Sequence, residues 1–297
     1  MTAAPTLTAR PTTGHVDHIV VGYRSRANLD HAQAEFTTQL GVTDWIDLGE
    51  DHGQVHAVHS PRGGLKLITP ASTDSPLHQR LSDKGEGFVS MCVAVSDIAE
   101  TVSKAANDGR RAEVIPQPKA LVPQTYRSAS QVHLGQVGGI ELSVGEYEFA
   151  NPISLSERPR AGTIDHIALA YSSYDGLEAA RAELSSVLGI DDWMDAGLVH
   201  GLLRVKVSWS TGIELLCPAE PGASVPFTGV RGDGFNCLVF GVADLDAEVK
   251  RLGELGQKPI MLPRLPEPVF DTYTVASEAY VGQLGGIAVL LGEFAPK

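Results

Sequence analysis

Asp17-His18-Ile19-Val20 returns 148 residues later as Asp165-His166-Ile167-Ala168. The same offset relates Asp44-Trp45 to Asp192-Trp193 and His52-Gly53 to His200-Gly201. After a one-residue deletion, an offset of 147 relates Gly87-Phe88 to Gly234-Phe235, Gly138-Gly139-Ile140 to Gly285-Gly286-Ile287, and Gly145-Glu146 to Gly292-Glu293. Matches in register over so long a span exclude coincidence. A repeat of this length is a duplicated domain rather than a solenoid unit. The division is a flexible tail at 1–13, a first domain at 14–149, a linker at 150–162 and a second domain at 163–295. Each copy is long enough to bury a core of its own.

With 43% hydrophobic and 20% charged residues, the chain has the composition of a globular protein. Its net charge of -13 opposes nucleic acid or an anionic membrane as a partner, since either requires a basic surface. No apolar run approaches the roughly 20 residues that span a bilayer, and Met1-Thr2-Ala3-Ala4-Pro5 has no basic n-region ahead of an apolar core. The expectation is a cytoplasmic protein, monomer or homodimer, acting on a small molecule. Cys92, Cys217 and Cys237 lie in apolar runs and are expected to be reduced core thiols.

Each copy divides again. Val16 to Val21 has strand patterning, and a helical stretch from Leu29 to Leu40 ends at Gly41, where a helix favours glycine after its last turn. Strands at 55–59 and 65–68 follow, separated by Pro61-Arg62-Gly63-Gly64. A second half opens with a strand at 88–95. Its helix starts near Ser96-Asp97 and ends at Gly109, and strands at 132–134 and 140–144 flank a hairpin turn at Gly138-Gly139. Copy two repeats the order, with helices at 177–188 and 245–255. Pro116, Pro118 and Pro123, like Pro263, Pro266 and Pro268, mark irregular segments of the kind that border ligand cups.

The order strand, helix, three strands, written four times, resembles the vicinal oxygen chelate superfamily, which includes glyoxalase I, methylmalonyl-CoA epimerase, extradiol dioxygenases and bleomycin-resistance proteins. The motifs carrying the likeness are Asp-His-Ile-Val-Val at a strand start, Gly-Ile-Glu-Leu-Leu-Cys-Pro in copy two, Val-Ser-Asp-Ile at the second helix start, and Gly-Gly-Ile-Glu-Leu before Gly-Glu-Tyr. The resemblance implies an α+β fold of four βαβββ modules forming two cupped mixed sheets. It also implies a divalent metal (Zn, Ni, Co, Mn or Fe) in a cup, on ligands from the strands of its modules.

Carried over by position, the implied ligand sites are His18, Lys66, Ser90 and Glu141 in copy one, and His166, Glu214, Cys237 and Ala288 in copy two. Neither copy has a full set of imidazole and carboxylate donors. Cups built within one copy keep two each, His18 with Glu141 and His166 with Glu214. Cups built between copies gather His166, Glu214 and Glu141 in one and leave the other without a usable set, and this interdomain arrangement is the expectation. His133, on the strand before the hairpin and eight positions from Glu141, is a candidate general acid or base near the metal. His56 and His59 are three apart on a strand, so at most one faces a cup. His52 and His200 recur in both copies, which fits a shared loop geometry.

One His with two Glu resembles the glyoxalase and epimerase pattern, so the expected activity is a metal-dependent isomerase or lyase working through a metal-stabilised enolate. Glu141 or Glu214 then moves the proton. A cup that has lost ligands can instead sequester a small molecule or antibiotic, with Trp45, Trp193 and Trp209 lining the cleft. A third reading, an extradiol-type dioxygenase, fits the length but finds Cys237 and Ala288 where its triad would need ligands.

Overall fold

Ser25, Ser75, Asp97, Ser173 and Asp244 each accept a backbone N–H three residues on, and each starts a helix. The five are α1 (Arg26–Leu40), α2 (Pro76–Lys84), α3 (Ile98–Asn107), α4 (Tyr174–Leu188) and α5 (Leu245–Glu254); a short α6 (Val269–Thr272) follows. Gly41 and Gly189 end α1 and α4 in the left-handed conformation, where a side chain would be strained. The structure is a computed structural model that describes residues 15–51, 54–115, 126–149, 163–223, 225 and 232–297. The expected tail at 1–13, the linker at 150–162, His52, Gly53, Pro116, Pro118 and Pro123 lie outside the described residues.

Sixteen strands among the described residues form two eight-stranded sheets. The first contains β1 (Val16–Gly22), β2 (Ile46–Asp51), β3 (Val55–Ser60), β4 (Leu65–Pro70), β5 (Gly87–Ala94), β6 (Glu113–Ile115), β7 (Tyr126–Val137) and β8 (Ile140–Phe149), in the order β2-β3-β4-β1-β5-β8-β7-β6. The second contains β9 (Ile164–Ala170), β10 (Met194–Val199), β11 (Leu203–Ser208), β12 (Ile213–Pro218), β13 (Gly234–Gly241), β14 (Ile260–Met261), β15 (Tyr273–Leu284) and β16 (Ile287–Pro296), in the equivalent order. In each sheet two βαβββ modules meet through their first strands, antiparallel, while each module closes with a parallel pair. These are the four modules and two cupped mixed sheets that the repeat implied.

The interdomain expectation is corrected here. β1 pairs with β5, and β9 with β13, so each cup is built within one copy. The physical reason is the short connection through α2, which returns the chain to its own sheet; consecutive elements pair far more often than remote ones.

Period-two alternation divides each strand between two environments. Along β9, Ile167 and Leu169 face an apolar core shared by the helices of both copies, while Ala168 and Ala170 belong to a separate cluster inside the second cup. The shared core runs continuously from one sheet to the other and contains Phe36, Leu184, Leu142 and Leu291, all fully buried. Truncating a side chain such as Phe36 to Ala would cost about 3–5 kcal/mol.

The two copies lock together reciprocally. Tyr23 donates to the Gly285 carbonyl at 2.7 Å, and Tyr171, its counterpart, donates to the Gly138 carbonyl at 2.7 Å. Glu35 and Glu183 accept from the N–H groups of Gly285 and Gly138, each at 2.8 Å. The Gly138-Gly139 and Gly285-Gly286 pairs have positive φ throughout, as a two-residue hairpin turn requires. Cys92, Cys217 and Cys237 are free and buried. No helix among the described residues is long and apolar enough to cross a membrane.

Candidate functional site

His166, on β9, points into the second cup and is almost wholly buried. Its Nδ1 bonds Asp165 Oδ1 at 2.9 Å, which fixes the ring and aims Nε2 inward. Nε2 lies 3.1 Å from Glu214 Oε2 on β12 and 3.7 Å from Glu278 Oε1 on β15. The surroundings are apolar and aromatic: Ala168, Leu216, Cys237, Ala288 and Leu290, with Trp209 and Phe294 packed edge to face on the imidazole and Tyr273 packed behind them. Phe294 reaches this place because residue 292 is glycine; a Cβ there would sit 2.3 Å from its ring.

Burial sets the electrostatics. It lifts the Glu278 carboxyl from 4.5 to about 7, against the attraction of His166 and with the repulsion of Glu214 and Asp165. Burial alone would lower the His166 imidazole, but hydrogen bonds to Asp165 and Glu214 and their charges outweigh it and raise it to about 10. Three acids thus face one imidazole in an apolar cup, an excess of negative charge that a divalent cation would neutralise. One imidazole and two carboxylates form a sound donor set. Donors about 2.1 Å from one ion stand roughly 3.0–3.5 Å apart; the Glu214 spacing of 3.1 Å matches this and the Glu278 spacing of 3.7 Å is wider, while the three donor atoms do not all lie within 4.8 Å of one another. The donor types fit a divalent ion, with a carboxylate side chain turning inward to close the set. Trp209 Nε1 and His200 Nδ1 are buried without hydrogen-bond partners. His200 and Gly201 both have positive φ in a turn.

The first cup differs at the same places. His18 Nδ1 bonds Asp17 Oδ2 at 2.6 Å, as His166 bonds Asp165, yet His18 Nε2 is buried with no partner. Lys66 stands where Glu214 stands, beside the equivalent strand position (Lys66 opposite Val20, Glu214 opposite Ala168). Gln131 stands where Glu278 stands, since each lies opposite the equivalent glycine, Gly145 or Gly292. His59 packs edge-on to His18 with ring centroids 5.0 Å apart, while His56 points outward toward Asp47, so one of that pair faces the cup. Among the described residues, Asp17, His18 and Cys92 are the group whose His, Cys or acid donor atoms lie within 4.8 Å of one another. Burial pushes the Cys92 thiol well up, and the Lys66 cation is near enough to act on it. A neutral thiol and an ammonium suit a divalent ion poorly.

Glu141 lies on β8 of the first sheet, so it does not join His166 and Glu214. Its partners are His133 Nε2 at 3.2 Å and Gln136, which leaves His18 without it. His133 and Glu141 pair with each other. The hydrogen bond between them raises the imidazole and lowers the carboxyl. Trp209 lines the second cup, but Trp45 and Trp193 bond Thr37 and Ser185 near the helix ends and pack on the shared core instead. Glu278 is the residue that the sequence reading missed. The strand containing it is twelve residues long, not the three expected from 132–134. A period-two extension from Tyr280 would have brought Glu278 to the cup face.

No family model matches the chain, and no curated protein matches it. Solved structures do. A fusion of a xylose isomerase-like TIM barrel with a 4-hydroxyphenylpyruvate dioxygenase superposes over 96% of this chain with a TM-score of 0.62 and 14% identity, and the chain spans 50% of that protein. A triple mutant of 4-hydroxymandelate synthase from Streptomyces coelicolor gives a TM-score of 0.62 and 14% identity, covering 97% of this chain and 94% of its own. A catechol 2,3-dioxygenase gives 0.55 and 11%, covering 96% and 89%. At these identities the likeness establishes the fold alone: two copies of the vicinal oxygen chelate fold in tandem.

Proposed function

We propose that the second cup holds a divalent metal on His166, Glu214 and Glu278 and acts as an isomerase or lyase on a small oxygenated organic molecule. The observation that carries this reading is His166 Nε2 facing two carboxylates inside an apolar, aromatic cup. A divalent ion bound there supplies Lewis-acid polarisation of substrate oxygens. Asp165 holds the imidazole orientation. Glu278, set back from His166 relative to Glu214, is the looser carboxylate, and its carboxyl, lifted toward neutrality by burial, is suited to take a proton from a carbon beside a carbonyl and return it to a neighbouring atom. Trp209 Nε1 offers an unused N–H to a substrate oxygen, and Tyr273 and Phe294 exclude water from the exchange.

A second reading, an oxygen-consuming dioxygenase, is favoured by one observation. Two of the similar structures bear dioxygenase names, and the catechol 2,3-dioxygenase shares the layout over 89% of its length. One imidazole among the three donors departs from the two-His-one-carboxylate arrangement of iron oxygenases, which is why it ranks second. The test is metal analysis of protein purified without chelators, then incubation of the loaded protein with small α-hydroxy and α-keto acids in deuterated water under an oxygen electrode. Metal-dependent deuterium incorporation without oxygen uptake supports the isomerase or lyase. Oxygen uptake supports the dioxygenase, and neither, with no metal retained, leaves binding alone.

A further inference from the structure

Phe88 and Phe235 hold equivalent places in the repeat and stack on each other, with ring centroids 5.4 Å apart and planes 24° from parallel, so the two copies meet across them. Gly139 of the first copy lies close beside Gly234 of the second, where a Cβ would come within 3.5 Å of the Gly139 carbonyl oxygen. Beside this seam opens a cleft of about 70 Å3, lined by residues of both copies. Among the described residues its charged side chains are Arg80 and Lys84 from α2, Glu141 from β8, and Asp233 just ahead of β13. Arg80 and Lys84 are four residues apart on a helix and therefore share one face.

These charges are not joined to one another in ion pairs. Arg80 Nη2 is taken by the Phe88 and Val89 carbonyls at 3.3 and 2.9 Å. Burial holds the guanidinium below its usual value, and the nearby Glu141 charge offsets this only in part. Lys84 is exposed and bonds nothing among the described residues. Glu141 is engaged by His133 and Gln136, and Asp233 by the N–H and hydroxyl of Ser172 at 2.8 and 3.3 Å. An ionised carboxylate has about four acceptor positions, so both acids keep capacity for a further donor. Both signs of charge thus face one cleft with bonding capacity left on each.

We infer that this cleft binds a small zwitterion of the amino-acid type, its carboxylate on Arg80 and Lys84 and its ammonium on Glu141 and Asp233. A ligand with both charges and no net charge matches walls that carry both signs in equal measure; a simple anion would meet the acids, and a simple cation the bases. Size agrees. One water requires about 10–15 Å3 of such space, so the cleft takes about five to seven small atoms, the size of glycine or alanine. Because α2 and Glu141 belong to one copy and Asp233 to the other, the ligand ties the copies together across their seam. The site uses none of His166, Glu214 and Glu278 and stands whether or not they hold a metal.

The experiment is amide NMR on the full chain, following the Gly85, Gly139 and Gly234 signals while glycine, L-alanine, sodium acetate and methylammonium chloride are titrated separately at constant ionic strength. Saturable movement of these signals is expected with glycine or L-alanine, and binding at least about tenfold weaker with acetate and with methylammonium. Arg80→Gln and Asp233→Asn should each weaken zwitterion binding at least about tenfold, provided melting curves show that they fold. Lys84→Gln changes an exposed residue with no partner among the described ones, so it is expected to fold as the parent does and to weaken binding severalfold. Absence of saturable movement with either zwitterion, or unchanged affinity in Lys84→Gln, overturns the proposal. Acetate binding as tightly as glycine overturns it in favour of an anion site, and methylammonium binding as tightly overturns it in favour of a cation site.

Discussion

His166 Nε2 lies 3.1 Å from Glu214 Oε2, whereas His18 Nε2, at the same place in the other sheet, is buried with no partner at all. The two cups differ at two wall positions, where Lys66 and Gln131 in the first stand in place of Glu214 and Glu278 in the second. The consequences are measurable.

Glu278 is expected to cost stability in return for its role. Its carboxyl ionises near 4.5 in the unfolded chain and near 7 in the folded one, so the folded state binds the extra proton between those values and loses stability as pH rises through them. Glu278→Gln should therefore raise the melting temperature of chelator-treated protein at pH 8 by several degrees, with the gain vanishing near pH 5. The same variant should lose metal affinity by at least about tenfold. A variant less stable than the parent at pH 8 would contradict the burial argument.

Metal binding should be linked to proton release. The His166 imidazole is held protonated to about 10, and only its neutral form can ligate. Affinity is therefore expected to climb between pH 6 and 9. Calorimetry in buffers of differing ionisation enthalpy should register about one proton or more released per ion. Binding independent of pH would place the ion elsewhere.

Glu141→Gln should leave metal content unchanged, because Glu141 belongs to the first sheet. It should remove a modest pH-dependent stabilisation. The raised imidazole of His133 contributes fully below its usual 6.5 and is lost at higher pH, and the lowered carboxyl of Glu141 contributes above its usual 4.5 and is lost in acid. The pair is thus strongest between those values. With side chains 34% and 26% exposed, its loss should cost only about 0.5 kcal/mol by urea unfolding near pH 5.5.

Tyr23→Phe and Tyr171→Phe each remove a buried hydroxyl that satisfies a hairpin carbonyl of the other copy. Each should cost about 1–2 kcal/mol, and the double variant should cost roughly their sum, since the two contacts share no partner. Unfolding curves that separate into two transitions would show the sheets are less coupled than their common core implies.

The fold was legible because a 148-residue repeat displays its own alignment, and because Ser96-Asp97 announces a helix start; the caps at Ser25, Ser173 and Asp244 were not read from the sequence. The pairing of the sheets was not. The edges of β1 and β9 have the same pattern, so residue types alone favoured bringing Glu141 to His166, and only the connection through α2 decides otherwise. His166 and Glu214 were found from the repeat and the family likeness together. Glu278 escaped because its counterpart is Gln131: a carboxylate present in one copy leaves no trace in an alignment of two. The orphaned His18 Nε2 has no sequence signal of any kind, since it is defined by what Lys66 and Gln131 fail to accept.

The most direct measurement is anomalous diffraction from crystals soaked in Co2+ or Zn2+. The account predicts one strong peak in the second cup, about 2.0–2.3 Å from His166 Nε2 and from a carboxylate oxygen of Glu214, with Glu278 turned toward it. A peak on Asp17, His18 and Cys92 instead, or none near His166 at saturating metal, would contradict it.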